Sequence, residues 1–523
     1  MAFPPSLAGL VAGGWRLEEP GRAPSSVPWP GVCQARAPLA WYDSLEVRGT
    51  GGGALAGFGG ALAGLRARTP AAQRQAHSTF SLANGSGGLD ENALTLTRGD
   101  SLRSFGLDVA SGKHGAMAGL ERAGRHQWGA HASLTRGHHE LAASFAQRGA
   151  AAQLADLEEQ AASGQSGAAS WRWQRGGTGW TGEFSRGLDR HESFGGGLVP
   201  SQREAQETRL ATGFERARDG RVLGARVEWA DESVRRFGGG AFSRESRSLW
   251  GALDAELPVA GGRLDLAMGA GHHGGVGRFD VAPSATYQVR VRGLDATLAL
   301  ERLLAPVWAD LAPGTDPFLQ RAWIGTMRVA TARPGVLHAR ASLRAGRVYA
   351  RALAERLPLE ELWLRRGLSA ESGTYDLALA EGGCEWAGRR GGVGLEGFGL
   401  AHRSSTLSSG LAHARQADPD AGFRAWLGSR ATLFGGDLGL VVRGEAAGVG
   451  ARERQVEPLR RLPAFVTFGL VCELTLGDVT IVVRGRNLED RPREQSWTDS
   501  STGSPAVAGR RELSLSFVWR LFN

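Results

Sequence analysis

The clearest pattern in the chain is a two-residue alternation, and it is sharpest at the end. Leu513, Leu515, Phe517, Trp519 and Leu521 form one row. Glu512, Ser514, Ser516 and Arg520 hold the alternate positions, with Val518 as the exception. Successive side chains of a strand point to opposite faces, so this segment is a strand with one oily and one polar face. Two settings supply such a boundary. One is the wall of a membrane β-barrel; the other is a soluble antiparallel sheet packed on one side only.

The alternation recurs from about residue 75 onward in strand-length segments separated by turns. Leu210, Thr212 and Phe214 lead into Asp219-Gly220, and Leu223, Ala225, Val227 and Trp229 lead out. Asp-Gly between alternating runs is a strong hairpin signal. Leu249, Leu253 and Leu257 pass through a turn at 258–262 to Leu264, Leu266 and Met268. Val466, Phe468, Leu470, Cys472 and Leu474 pass through Gly477-Asp478 to Val479, Ile481 and Val483. The connections alternate in length. Short ones fall near 136–138, 175–178, 217–220, 258–262 and 293–295; longer polar ones fall near 149–167, 188–207, 231–247, 271–285 and 303–318. Residues 150–163 read as loop, with room for a helical turn or two. Such parity places short turns on one rim and long loops on the other, as in bacterial outer-membrane barrels. A Greek-key sandwich has no reason to keep it. The expected fold is all-β: a large antiparallel transmembrane β-barrel of about 22 strands, an even number as single-chain barrels require.

Composition removes other classes. No apolar run of eighteen residues occurs in the 523, which excludes a spanning helix and leaves a barrel open, because alternating strands average to modest hydropathy. Lys and Arg total 61 against 53 Asp and Glu, and Lys113 is the single lysine. The arginines are scattered through strands and loops, so no nucleic-acid partner is expected. Cys33, Cys384 and Cys472 lie far apart and indicate neither a disulfide framework nor a thiolate zinc site. The glycine-rich stretch at 50–60 has no G-K-[ST] after it and is no phosphate loop. His138-His139 and His272-His273 are neighbours, which a strand sends to opposite faces, so no metal site is assigned; His272-His273 falls in an expected outer loop. No catalytic constellation is present, and the chain is read as a non-enzyme without cofactors.

Four stretches resemble a known family. Leu45-Glu46-Val47-Arg48-Gly49 with Gly59-Gly60 and Thr69-Pro70 looks like the end of a plug domain. Gly346-Arg347-Val348-Tyr349 with Leu359-Glu360-Glu361-Leu362, and Leu368-Ser369-Ala370-Glu371-Ser372 through Asp376, resemble two mid-barrel segments. Val483-Arg484-Gly485-Arg486-Asn487-Leu488-Glu489-Asp490 is similar to the strand end before the last loop. In this order and spacing they resemble the TonB-dependent outer-membrane receptors. Ala370, Asp376 and Thr50 depart from the family pattern.

The resemblance implies a partial plug, its second half only, over 1–70 and a barrel over 71–523. No secretory signal is legible in residues 1–14, and the TonB-contacting segment and first half of the plug are missing from this reading, as a late-called start codon would explain. The implied function is active uptake of a scarce solute such as a ferric siderophore or cobalamin, with haem or saccharide left open. The alternatives are a passive channel or degenerate receptor, and a soluble or surface adhesion or scaffold protein. Implied partners are outer-membrane lipid and lipopolysaccharide, the TonB energy-coupling complex, the barrel assembly machinery and a small-molecule ligand.

Three groups of site residues follow. Arg48 is expected to latch the plug to the wall through Glu371 or Asp376, since a buried charge needs a partner. Arg235 and Arg236, with Arg452 and Arg454, form basic loop clusters suited to steering an anionic metal chelate. Phe237 and Trp497 are their aromatic companions, although lipopolysaccharide contact or plain composition is the favoured explanation of the arginines. Phe517, Trp519, Leu521 and Phe522 form the terminal assembly signal, with Phe522 out of phase with the oily row.

Overall fold

The structure, a computed structural model, describes residues 15–18, 44–48, 54, 58, 63–68, 77–86, 89–100, 102–114, 120–154, 159–194, 201–238, 241–307, 317–331, 337–353, 356–358, 363–365, 368–404, 421–453, 461–490, 493–498, 505–508 and 511–521. Near the N-terminus, Ala63–Arg68 is the centre of a three-stranded sheet. It pairs parallel with Trp15–Glu18 and antiparallel with Ser44–Arg48.

The remainder is a closed barrel of 22 strands, as the alternation and connection parity predict. They are β1 (His77–Gly85), β2 (Leu89–Gly99), β3 (Arg103–His114), β4 (Leu120–Arg136), β5 (His139–Leu154), β6 (Glu159–Arg175), β7 (Thr178–Phe194), β8 (Ser201–Arg218), β9 (Arg221–Gly238), β10 (Phe242–Val259) and β11 (Gly262–His273). There follow β12 (Arg278–Val291), β13 (Leu294–Val307), β14 (Phe318–Thr331), β15 (Leu337–Leu353), β16 (Leu368–Ala387), β17 (Gly391–Ser404), β18 (Ala421–Leu433), β19 (Leu438–Val449), β20 (Phe465–Leu476), β21 (Val479–Arg486) and β22 (Glu512–Leu521). Closure is by the last strand on the first, with Phe517 opposite Leu82 and Trp519 opposite Phe80.

The wall is inverted relative to a soluble protein. Leu253, Met268, Leu298 and Leu427 face outward and are 61%, 56%, 53% and 69% exposed, so the wall must stand in an apolar surround. The opposite face is lined by ion pairs: Arg226–Glu183 at 2.8 Å, Arg344–Glu381 at 2.8 Å and Arg424–Glu445 at 3.0 Å. A polar lumen behind an apolar outer band is the signature of a transmembrane barrel.

The short turns occupy one rim. Asp219-Gly220, Ala260-Gly261 and Arg292-Gly293 all have positive φ at both residues, the geometry whose twist matches the flanking strands. The other rim corrects the sequence reading. Much of what reads as long loop is strand: β7 runs to Phe194 and β8 begins at Ser201, β9 runs to Gly238 and β10 begins at Phe242, and β11 runs to His273 and β12 begins at Arg278. Residues 150–154 and 159–163 are likewise strand, with no helical turn in them. Above the apolar band both faces are wet, so the alternation disappears while backbone pairing continues. The wall is uneven as a result. β8, β9 and β10 have 18 residues each, whereas β21 and β22 have 8 and 10.

Candidate functional site

A deeply buried polar group is built on the lumen face of β8, β9, β10 and β11. Two-residue spacing puts Glu207 and Arg209 on one face of β8, Glu228 and Glu232 on one face of β9, and Ser246, Ser248 and Trp250 on one face of β10. Arg209 sits among three carboxylates. Its Nε is 2.7 Å from Glu207, one terminal nitrogen donates to Glu228 Oε1 at 2.7 Å, and the other donates to Glu232 Oε1 at 2.8 Å. Arg209, Glu207 and Glu232 are at most 4% exposed, and His273 of β11 is fully buried. His273 Nε2 stands 4.0 Å from Glu232 and ties the group to β11.

Two residues of the glycine-rich stretch before the barrel reach the wall beside this group. Phe58 stands edge-on to the Trp250 ring at 5.0 Å and to the His273 ring at 5.1 Å. Four residues earlier, the Ala54 carbonyl accepts a hydrogen bond from Trp250 Nε1 at 3.0 Å. Gly269 makes this approach possible: a Cβ there would come 2.5 Å from the Ala54 carbonyl oxygen and closer still to the Trp250 ring. Phe58, Trp250, Ala252, Ala282, Leu304 and Leu319 form one buried cluster, with Val276 against it. An N-terminal segment is thus anchored on the inner wall by one aromatic and one main-chain hydrogen bond.

Beside this anchor the barrel wall is split. β12 and β13 pair from Ser284–Glu301 to Val291–Leu294, and residues 278–283 and 302–307 make no ladder across that boundary. Each remains paired on its other side, to β11 and β14 respectively. Pro283 has no N–H to donate. Arg302 bridges the gap instead, donating to the Val281 carbonyl at 2.7 Å and pairing with Asp280 at 2.7 Å. Asp280 in turn accepts the Val281 N–H at 2.9 Å.

The chain matches no protein-family model and no curated protein by sequence. Solved structures resemble it over almost its whole length. The FrpB iron transporter from Neisseria meningitidis (F3-3 variant) has a TM-score of 0.77 at 10% identity, covering 98% of this chain and 93% of that one. The siderophore receptor PirA from Acinetobacter baumannii has 0.77 at 10%, covering 99% and 92%. The copper transporter OprC has 0.77 at 12%, covering 99% and 94%. The fold is that of the TonB-dependent receptors.

Several family-like stretches have clear structural jobs in this TonB-dependent receptor fold. Asn487 and Asp490 turn the chain with φ of 49° and 54° at the end of β21. Glu489 accepts the Phe468 N–H at 3.0 Å, and Asp490 accepts the Arg511 N–H at 2.8 Å just before β22. Gly346 allows β15 to lie against β14, since a Cβ there would collide with the Trp323 carbonyl and Ile324.

The expected site residues are distributed unevenly. Arg48 ends the Ser44–Arg48 strand, opposite Gly64; its side chain and that of Glu371 lie outside the described residues. Asp376 alternates with the buried Leu377 and Leu379, so it faces away from them, and it pairs with Arg347 at 2.8 Å. On β9, Arg236 shares the face of Glu232 and Val234, while Arg235 and Phe237 occupy the opposite face. Arg452 starts a short strand paired to Arg461–Leu462, which lies beside the Arg493–Thr498 strand carrying Trp497. The Arg452 and Trp497 loops therefore adjoin. The side chains of Arg452 and Trp497, and all of Arg454 and Phe522, lie outside the described residues. Phe517 and Trp519 sit in the wall, Trp519 facing outward, and Leu521 ends β22.

The sequence reading misses Phe58, Trp250 and the Arg209 cluster. The one available signal is that Phe58 is the only aromatic in the glycine-rich stretch 50–60.

Proposed function

We propose that this chain is an outer-membrane TonB-dependent receptor that imports a scarce solute, with a metal chelate as the leading class. The observation that carries the reading is the contact of Ala54 and Phe58 with the inner wall of a 22-stranded barrel, because a gated importer needs a lumen occupied by a removable element. The likeness to FrpB, PirA and OprC supports the class; each is titled a transporter or receptor of iron, siderophore or copper. The adjoining short strands that carry Arg452 and Trp497, with Arg454 next to them in sequence and Arg236 on the lumen side of β9, are the proposed capture surface for an anionic chelate. The latch proposal keeps Arg48 with Glu371 or Asp376, of which Asp376 already pairs with Arg347. Energy coupling through TonB and insertion by the barrel assembly machinery, read from the terminal row, complete the proposal.

The test is accumulation of radiolabelled ferric chelates by cells carrying the gene against cells deleted for it, with and without a protonophore. Import that depends on the gene and stops with the protonophore is expected. Gene-dependent entry that persists without energy would make the protein a passive channel, and no gene-dependent entry for any chelate would end the reading.

A further inference from the structure

We propose that the ends of β13 and β14 farthest from the short turns form a movable arm of the wall, which Phe58 holds inside the lumen and which rejoins β12 when Phe58 is withdrawn. Strand alternation shows that the arm has left the wall. Nearer the short turns, Leu298 and Leu300 of β13 face outward, and so do Met327 and Trp323 of β14. The same parity continued puts Arg302 and Leu304 of β13 and Leu319 of β14 on the outer face. Yet Leu304 and Leu319 are 0% and 3% exposed. They join Trp250, Ala252 and Ala282, which belong to the inner face of β10 and β12. Arg302 pairs with Asp280 at 2.7 Å. Asp280 alternates with the outward Phe279 and Val281, so it too stands on the inner face. The outer face of the arm therefore lies against the inner face of its neighbours.

What the arm has given up is a ladder. The register of β12 on β13 ends at Ser284–Glu301. Continued without a shift, it would set Pro283 opposite Arg302 and Arg278 opposite Val307. Arg278 is the first residue of β12 and Val307 the last of β13, so the two free edges match end to end. An open edge in a wall leaves backbone N–H and C=O groups unpaired, which is costly. Pro283 supplies no N–H at the first step of the missing ladder, which makes this the place where the strands part. Burial of Leu304 and Leu319 and the Arg302–Asp280 pair offset the lost backbone bonds. The arm thus has two competing packings, one on the inner wall and one in the ladder.

Phe58 decides between them. It belongs to the same buried cluster as Ala282, Leu304 and Leu319, and it comes from the N-terminal segment rather than from the barrel. Its contacts favour the inward packing and contribute nothing to the ladder. A group shifts an equilibrium only through such a difference. Withdrawal of Phe58 takes an aromatic out of the cluster, leaves both free edges as they were, and so moves the arm outward. One movement then has two effects: the segment leaves the inner wall, and the seam beside it closes.

The arm rests on the anchored segment and not on the import of any solute. It is tested on the purified full chain in detergent, so failure of import and failure of the arm are separate results. The background carries Cys33→Ser, Cys384→Ser and Cys472→Ser. Phe279→Cys with Pro306→Cys then places two thiols at positions that face each other only in the rejoined ladder. A disulfide needs Cα atoms about 4.4–6.8 Å apart, so its closure reports the outward arm. Ala285→Cys with Leu300→Cys, opposite each other in the existing ladder, is the control. Closure at 279 and 306, read by mass spectrometry after oxidation, should be slow in the parent and about tenfold or more faster with Phe58→Ala. Phe58→Leu, which keeps an apolar group in the cluster, should fall between. The control pair should close equally fast in all three. Closure at 279 and 306 that ignores Phe58→Ala, or that matches the control pair in the parent, would overturn the arm. So would a control pair whose closure changes with Phe58→Ala, because the wall would then have loosened as a whole.

Discussion

Replacing Phe58 with alanine tests whether the N-terminal segment is held on the wall as a separable element. Phe58 is 6% exposed and touches Trp250 and His273 edge-on. Emptying a buried phenylalanine site costs about 3–5 kcal/mol, of which each aromatic pair accounts for about 0.5–1.5 kcal/mol. The barrel ladders do not run through this residue, so the loss falls on docking of the segment rather than on the barrel. At about 1.4 kcal/mol per factor of ten, the undocked population rises on the order of a hundredfold to a thousandfold. Trp250→Phe is the graded control. It keeps the aromatic contact and removes the indole donor to the Ala54 carbonyl, costing about 1 kcal/mol, or roughly fivefold. The assay is single-channel recording in planar bilayers, with the thermal unfolding midpoint measured alongside. Open time should rise strongly in Phe58→Ala and slightly in Trp250→Phe, with the midpoint within a few degrees of the parent. Unchanged conductance in Phe58→Ala would refute the anchor. A collapse of the midpoint would show that Phe58 belongs to the barrel's own core.

Two further outcomes follow from the same region. Arg209→Met removes the one guanidinium shared by Glu207, Glu228 and Glu232; breaking a buried pair from one side costs about 3–5 kcal/mol, so urea unfolding should shift clearly, and adding glutamine at the three acids should restore most of the loss. Arg302→Ala opens the split between β12 and β13 by freeing Asp280 and the Val281 carbonyl; hydrogen exchange should rise across 278–283 and 302–307 and stay unchanged in the β8–β9 ladder, and a uniform response would mean that the arginine does not hold the split.

The terminal row Leu513 to Leu521 determined its own strand and the oily side of that strand, because alternation is local geometry. Spread over the chain, the same rule gave the strand count, and the parity of the connections gave the two rims. It also had consequences that went unused: Arg235, Arg236 and Phe237 are consecutive on one strand, so they divide between its two faces. Local pattern ran out where both faces became wet, which is why the upper parts of β7 to β12 read as loops.

Only closure of the barrel decided the rest. Trp250 and Ala54 are 196 positions apart, and no periodicity in either neighbourhood announces their meeting. Pro283 looks like an edge-strand residue in sequence, yet β12 lies inside a closed wall, and the tertiary structure reconciles the two by parting β12 from β13 and closing the gap with Arg302. The buried charges depend on closure too. Glu207, Arg209, Glu228 and Glu232 read individually as ordinary polar positions on amphipathic strands. The inter-strand register set them side by side on the lumen face, so their burial is a property of the closed barrel and of no single strand.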